Sequence, residues 1–168
     1  MSKDGLIRLI AAGLILIGFS ACALGSKEVF HSFEFDNLEG NKDIEILDYQ
    51  YGDSNMAFTR PDKDYLATGH IQQAARISGM FPVGQFLYVK WRVNSTGKVY
   101  NDTVDLKSRL PLSMDHKIVH FEIKGPQLYV YLIKSRHAFH VSSAADCQAK
   151  FYAELECTRL YPDHWSNF

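Results

Sequence analysis

Seven histidines, three cysteines and nineteen carboxylates are the side chains of this 168-residue sequence that could do chemistry, and their spacing decides which of them can act together. His116 and His120 are four residues apart in a stretch that reads as the approach to a β-strand. On a strand they would share a face but sit roughly 13 Å apart, too far to grip one metal ion. His137 and His140 could meet only on a helix, and their neighbours are not strongly helical. The segment RPDKDY, residues 60–65, brings Asp62 and Asp64 close together, yet no nucleophile or second acid is fixed near them by sequence, so they do not read as a catalytic pair. The nucleophile-elbow pattern G-x-S-x-G, the phosphate loop G-x-x-x-x-G-K-[ST] and the metalloprotease pattern H-E-x-x-H are all missing from the sequence. The expectation is a protein that is not an enzyme and needs no cofactor. RPDKDY then reads either as a solvated loop or as a partner-binding loop, since a rigid scaffold can present a loop without needing it for the core.

The cysteines divide into two groups. Cys22 follows the apolar run of LIRLIAAGLILIGFSACALGS, residues 6–26. The dozen or so apolar residues fall short of the roughly 20 needed to span a bilayer. With Lys3 and Arg8 ahead of the run and Ser20 and Ala21 at its end, the pattern is that of an export leader, residues 1–21. FSAC resembles the lipobox of bacterial lipoproteins, in which the cysteine thiol is lipidated and the leader is cut just before it; Phe19 stands where Leu is usual. The leading expectation is therefore lipidation at Cys22, with a plain secretory leader and an uncleaved anchor as alternatives. Several acyl chains would add at about 0.8 kcal/mol per CH₂, where a single chain anchors poorly. Cys147 and Cys157 remain, and an exported protein with two cysteines can bridge them. On one continuous helix they would lie about 15 Å apart, so a bridge requires a reversal or break between them. Neither has the spacing of a zinc site.

Removing residues 1–21 leaves 147 (168 − 21), one domain of ordinary size that can bury a core. The remaining charge is 16 basic against 18 acidic residues, or −2, once Lys3, Arg8 and Asp4 are subtracted. That balance gives no case for nucleic acid, and no basic cluster points to anionic lipid. Eleven Phe, nine Tyr and two Trp favour strands and also suit a protein-binding surface.

These residues must be positioned by elements that are mostly extended. Residues 22–28 read as a tether and residues 29–168 as a single domain. VFHSFEF (29–35) puts Val29, His31, Phe33 and Phe35 on one side of a strand, and IEILDYQYG (44–52) is a second strand ended at Gly52. Residues 53–82 read as an irregular connection in which IQQAARI forms a helical turn; such long connections are often functional. QFLYVKWRV and VYNDTVDL form a hairpin turning at Gly97, with Leu87, Val89, Trp91 and Val93 on its buried face. Strands around Val119–Ile123 and Leu128–Leu132 form a second pair turned by KGP. SSAADCQAKFYAELE (142–156) is the best helix candidate, capped by Ser142 or Ser143, and a last strand runs from Leu155 to Tyr161 before Pro162. The sum is about six strands and one or two short helices: a mainly β, antiparallel, sandwich-like α+β domain.

YQYG at 49–52, PVGQFLYVKWR at 82–92 and DTVDLKSRLP at 102–111 together resemble a family of small bacterial lipoproteins, the domain of unknown function 3304, over most of the chain after the leader. Its members are similar to immunity proteins of type VI secretion phospholipase effectors. The resemblance implies a periplasmic protein, held to the cell envelope at the outer membrane, that binds an incoming lipase and keeps it from phospholipid. The matching residues are scaffold, so they do not carry an interface. The expected partner contacts are Asp62, Lys63, Asp64 and Tyr65, with Asp115 and His116 as a second set. The alternative is a structural or assembly lipoprotein of the envelope with a permanent protein partner.

Overall fold

The computed structural model describes residues 27–38, 42–135 and 155–163. Among them are eight strands and one short helix: β1 (Glu28–Asp36), β2 (Ile44–Tyr51), α1 (Lys63–Ala67), β3 (Ala74–Pro82), β4 (Phe86–Val93), β5 (Lys98–Asp105), β6 (Lys117–Lys124), β7 (Gln127–Ser135) and β8 (Leu155–Tyr161). They form a five-stranded sheet in the order β3-β1-β6-β7-β8 and a three-stranded sheet in the order β2-β4-β5. All pairings are antiparallel except β1 with β6. The two sheets pack as a sandwich, and the protein is mainly β.

Alternation makes the core. Leu87, Val89, Trp91 and Val93 of β4 point inward, and the second residue of each pair faces out, as a half-buried strand requires. Phe33 and Phe35 of β1 meet Tyr51 and Tyr49 of β2 across the sandwich, the Phe33 and Tyr51 rings stacking with centroids 4.6 Å apart. Fully burying a side chain of this size contributes about 1.5–3 kcal/mol, so these rings and Trp91 dominate the packing. The Trp91 indole N–H donates to the Gly125 carbonyl at 3.0 Å, tying the small sheet to the β6–β7 turn. On the other flank the Tyr161 hydroxyl donates to Asp102 at 2.6 Å, while Arg109 donates to the Leu160 carbonyl and pairs with Asp163.

Several sequence expectations need correction. Residues 74–82 are strand β3, paired along its whole length with β1, so IQQAARI is no helical turn and the connection ends near Gln73. Tertiary pairing overrides the helical propensity of its Gln and Ala residues. The strands number eight among the described residues rather than six. Most of the helix candidate at 142–156 lies outside the described residues, and its last two residues belong to β8. The last strand, the central hairpin and the turns at Gly97 and Gly125 stand where the sequence puts them.

One histidine is set into the core. His31 is fully buried with its ring on Phe81, centroids 3.9 Å apart. Its Nδ1 donates to the Val29 carbonyl at 2.8 Å, and its Nε2 is buried without a hydrogen-bond partner. Burial pushes the His31 pKa below its ordinary value, with the Val29 bond opposing. The folded ring therefore takes up a proton only at lower pH than the unfolded chain, which does so below about pH 6.5. Stability contributed by neutral His31 is present above that pH and is lost as pH falls. Urea denaturation of the wild type at pH 7.5 and 5.5 is expected to show this loss, and His31→Leu is expected to reduce it. An equal pH dependence in both proteins would assign the effect to other groups.

Candidate partner-binding surface

The connection from Asp53 to Gln73 is held at both feet. At one foot the Tyr51 N–H donates to the Thr59 carbonyl at 2.8 Å. Thr59, itself fully buried, donates its hydroxyl to the Met56 and Ser54 carbonyls, and Arg60 donates to the Ser54 carbonyl at 2.7 Å. At the other foot the Gln73 side chain behaves like a piece of strand. Its Oε1 accepts from the Ile46 N–H at 2.8 Å and its Nε2 donates to the Ile46 carbonyl at 2.9 Å. Asn37 Nδ2 donates to the Ile44 carbonyl. These bonds occupy backbone groups on the outer side of β2, an edge strand that would otherwise invite pairing with another chain.

Between its feet the connection turns outward. Met56 to Thr59 form a turn closed by the Thr59 N–H on the Met56 carbonyl, and its third residue, Phe58, has φ 66°. That left-handed position favours glycine, and a bulky residue there is strained by roughly 1–2 kcal/mol. The strain supports a ring that is 42% exposed. Strain persisting at an exposed aromatic directs attention to function rather than packing. Phe58→Gly is expected to leave stability unchanged or to raise it by up to about 1 kcal/mol; a loss above about 2 kcal/mol in chemical denaturation would instead make Phe58 a packing residue.

Helix α1 follows. Pro61 is buried, and Asp62 caps the helix, its carboxylate accepting from the Asp64 N–H at 2.8 Å. The Asp62 N–H lies 3.3 Å from its acceptor, Gln72 Oε1. Burial, reinforced by the charges of Asp62 and Asp48, pushes the Tyr49 hydroxyl well above its ordinary pKa. No residue of α1 is buried, although Tyr65 and Leu66 are among them, 52% and 49% exposed. A helix packed in a domain normally buries its large apolar side chains; these two are about half exposed. A groove of about 380 Å³ lies beside the same foot, lined by Asn37, Leu38, Ile44, Glu45, His70 and Gln73 among others.

Of the expected contacts, Lys63, Asp64 and Tyr65 are exposed on α1 while Asp62 is half-buried and committed to the cap. Asp115 and His116 form an exposed turn before β6, with His116 at φ 54° and its ring 5.4 Å from that of Phe30. The structure does not bring the two sets together. The first is tied to Gln72, just before β3, and the second to the Phe30 carbonyl, opposite Met80 near the end of β3; roughly 25 Å of strand lies between those anchors. Sequence reasoning passed over Met56, Phe58 and Leu66, which single apolar residues in an irregular stretch do not announce.

A second polar constellation lies on the outer face of the larger sheet. Glu34, 4% exposed, sits between its register partners Arg76 and His120. Arg76 Nε approaches Glu34 Oε2 at 2.6 Å, and His120 Nδ1 lies 3.4 Å from Glu34 Oε1. A carboxylate buried this deeply requires such partners. Among the described residues no group of three or more His, Cys, Asp or Glu side chains is placed to hold a metal ion. Cys157 is disulfide-bonded. Cys22 and Cys147 lie outside the described residues. No family model, no curated protein and no solved structure matches this chain.

Proposed function

We propose that this protein is a lipid-anchored periplasmic immunity protein that binds a type VI secretion phospholipase effector stoichiometrically and blocks its active-site entrance or lid. The resemblance of the 49–52, 82–92 and 102–111 segments to the lipoprotein family supports the class of partner. The observation that carries protein binding is α1, a helix that buries none of its residues yet displays Tyr65 and Leu66. Beside it in the same connection stands the strained and exposed Phe58. Aromatic anchors on a rigid support are the usual hot spots of tight complexes, and an inhibitor of this type typically buries about 1,600 Å² in total. Cys22 would carry the acyl chains and hold the domain at the envelope.

The test is phospholipid hydrolysis by the cognate phospholipase effector, measured with rising amounts of the protein. Inhibition complete near one molar equivalent, with a complex on size exclusion, is the expected result. Undiminished hydrolysis at molar excess, with no complex formed, would overturn the reading. Retention of the protein in membranes after Cys22→Ser and leader cleavage would count against the lipid anchor.

A further inference from the structure

Large apolar side chains are exposed on the described strands at Phe30, Met80 and Val99. The first two are not scattered. Phe30 and Met80 are register partners on β1 and β3, and they are 40% and 55% exposed. The His116 ring leans on Phe30, and the His116 N–H donates to its carbonyl. Lys117 Nζ donates to the Ser113 carbonyl at 2.6 Å, and Leu112, next to Ser113 in the loop that leads into this turn, is fully exposed. Lys27, Glu28, Asp115 and Lys117 flank this cluster, two positive and two negative, so the patch is apolar and close to neutral. An apolar patch of this kind on a sheet end marks a protein or a membrane surface.

The chain itself chooses between them. β1 begins at Glu28, six residues after Cys22, and six residues reach at most about 20 Å. We infer that the end of the larger sheet carrying Phe30, Met80 and Leu112 rests on the bilayer surface, the three side chains dipping among the lipid headgroups. This inference rests on the lipid anchor proposed for Cys22. It also orients the domain. Seven residues on from Phe30, roughly 23 Å along the strand direction, Asn37 meets Gln73 and Ile44, and Asn94 meets Asp43. The Gln73 foot of the connection is at that far end, and Asp62, the cap of α1, is tied to it through Gln72. A bilayer-seated patch would therefore hold α1 up toward the periplasm, clear of the lipid.

The experiment uses the mature, full-length protein purified from membranes and reconstituted in vesicles of brominated phosphatidylcholine, with Met80→Trp and Val99→Trp as reporters over the background of Trp91 and Trp165. Val99 follows the Asn94–Gly97 turn, at the far end. Bromine reaching a side chain in the interfacial zone is expected to quench the added emission of Met80→Trp about twofold and to leave that of Val99→Trp unchanged. Vesicle-bound protein with neither reporter quenched, or both quenched alike, would overturn the seated orientation while leaving the anchor standing. Failure of the wild type to float with vesicles would remove the anchor and the orientation with it. A Met80→Trp emission that shifts to the blue with protein concentration in the absence of lipid would make the patch a contact between copies and overturn the inference.

Discussion

Gly52→Ala is expected to destabilise the fold by about 3–5 kcal/mol, a loss large enough to leave little native protein if the domain has ordinary stability. Gly52 ends β2 at φ 59°, where an L side chain costs about 1–2 kcal/mol. The larger share comes from space. A Cβ there would lie 2.5 Å from the Gly84 Cα and 3.3 Å from the Gln85 N, and backbone cannot swing aside as a side chain would. The Gly52 N–H also donates to the Phe86 carbonyl at 2.8 Å, so moving the turn strains the start of β4. The reciprocal Gly84→Ala would push a Cβ to within 2.6 Å of the Tyr51 ring, which is itself stacked on Phe33. Gly97→Ala separates the two causes: Gly97 has φ 67° but nothing near its missing Cβ, so it is expected to cost only about 1–2 kcal/mol. Urea titrations followed by circular dichroism would rank the three. Equal losses at Gly52 and Gly97 would show that the crossing of the two backbones relaxes freely.

Tyr65→Ala is expected to weaken the complex with the effector by about 2–4 kcal/mol, or roughly 30- to 1,000-fold in Kd, while changing stability by less than about 0.5 kcal/mol. The two halves of this expectation come from one fact: Tyr65 stands 52% exposed on a helix with no buried residue, so truncation costs the fold little and removes the half of the side chain open to a partner. Calorimetric titration of effector with each variant, beside thermal melts, reads both. A Kd within threefold of the wild type would place the contact elsewhere. Leu112→Ala is the control, since Leu112 lies with the other apolar group and is expected to leave the complex unchanged.

Legibility from sequence followed the range of the signal. The hairpin of β4 and β5 was readable because Leu87, Val89, Trp91 and Val93 alternate without interruption and Gly97 marks the turn. β8 was readable because Pro162 stops it. β3 was not: its Ala74, Ala75, Ser78 and Gly79 carry little strand propensity, and it is extended because β1 templates it residue by residue. α1 has five residues, too few for a period to show, although Pro61 and Asp62 are start signals. Glu34 was unreadable as a buried charge, since Arg76 and His120, which make burial tolerable, come from strands 42 and 86 residues away. In the candidate surface, RPDKDY drew attention by its charges, but the exposed apolar side chains beside it are visible only once the core is known.

The paired bonds of Gln73 on Ile46 have a further meaning for how such a protein could change over time. With Thr59 clamping one end of the connection and Gln73 the other, and Pro61 and Gln72 buried inside them, residues 63–70 between are exposed throughout. Doubling the length of a flexible loop costs only about 0.6 kcal/mol in closure entropy. Insertions, deletions and substitutions between Lys63 and His70, all exposed, can therefore accumulate with little penalty to the scaffold. A lineage facing a succession of different toxins could exchange that cassette wholesale and keep the same two clamps.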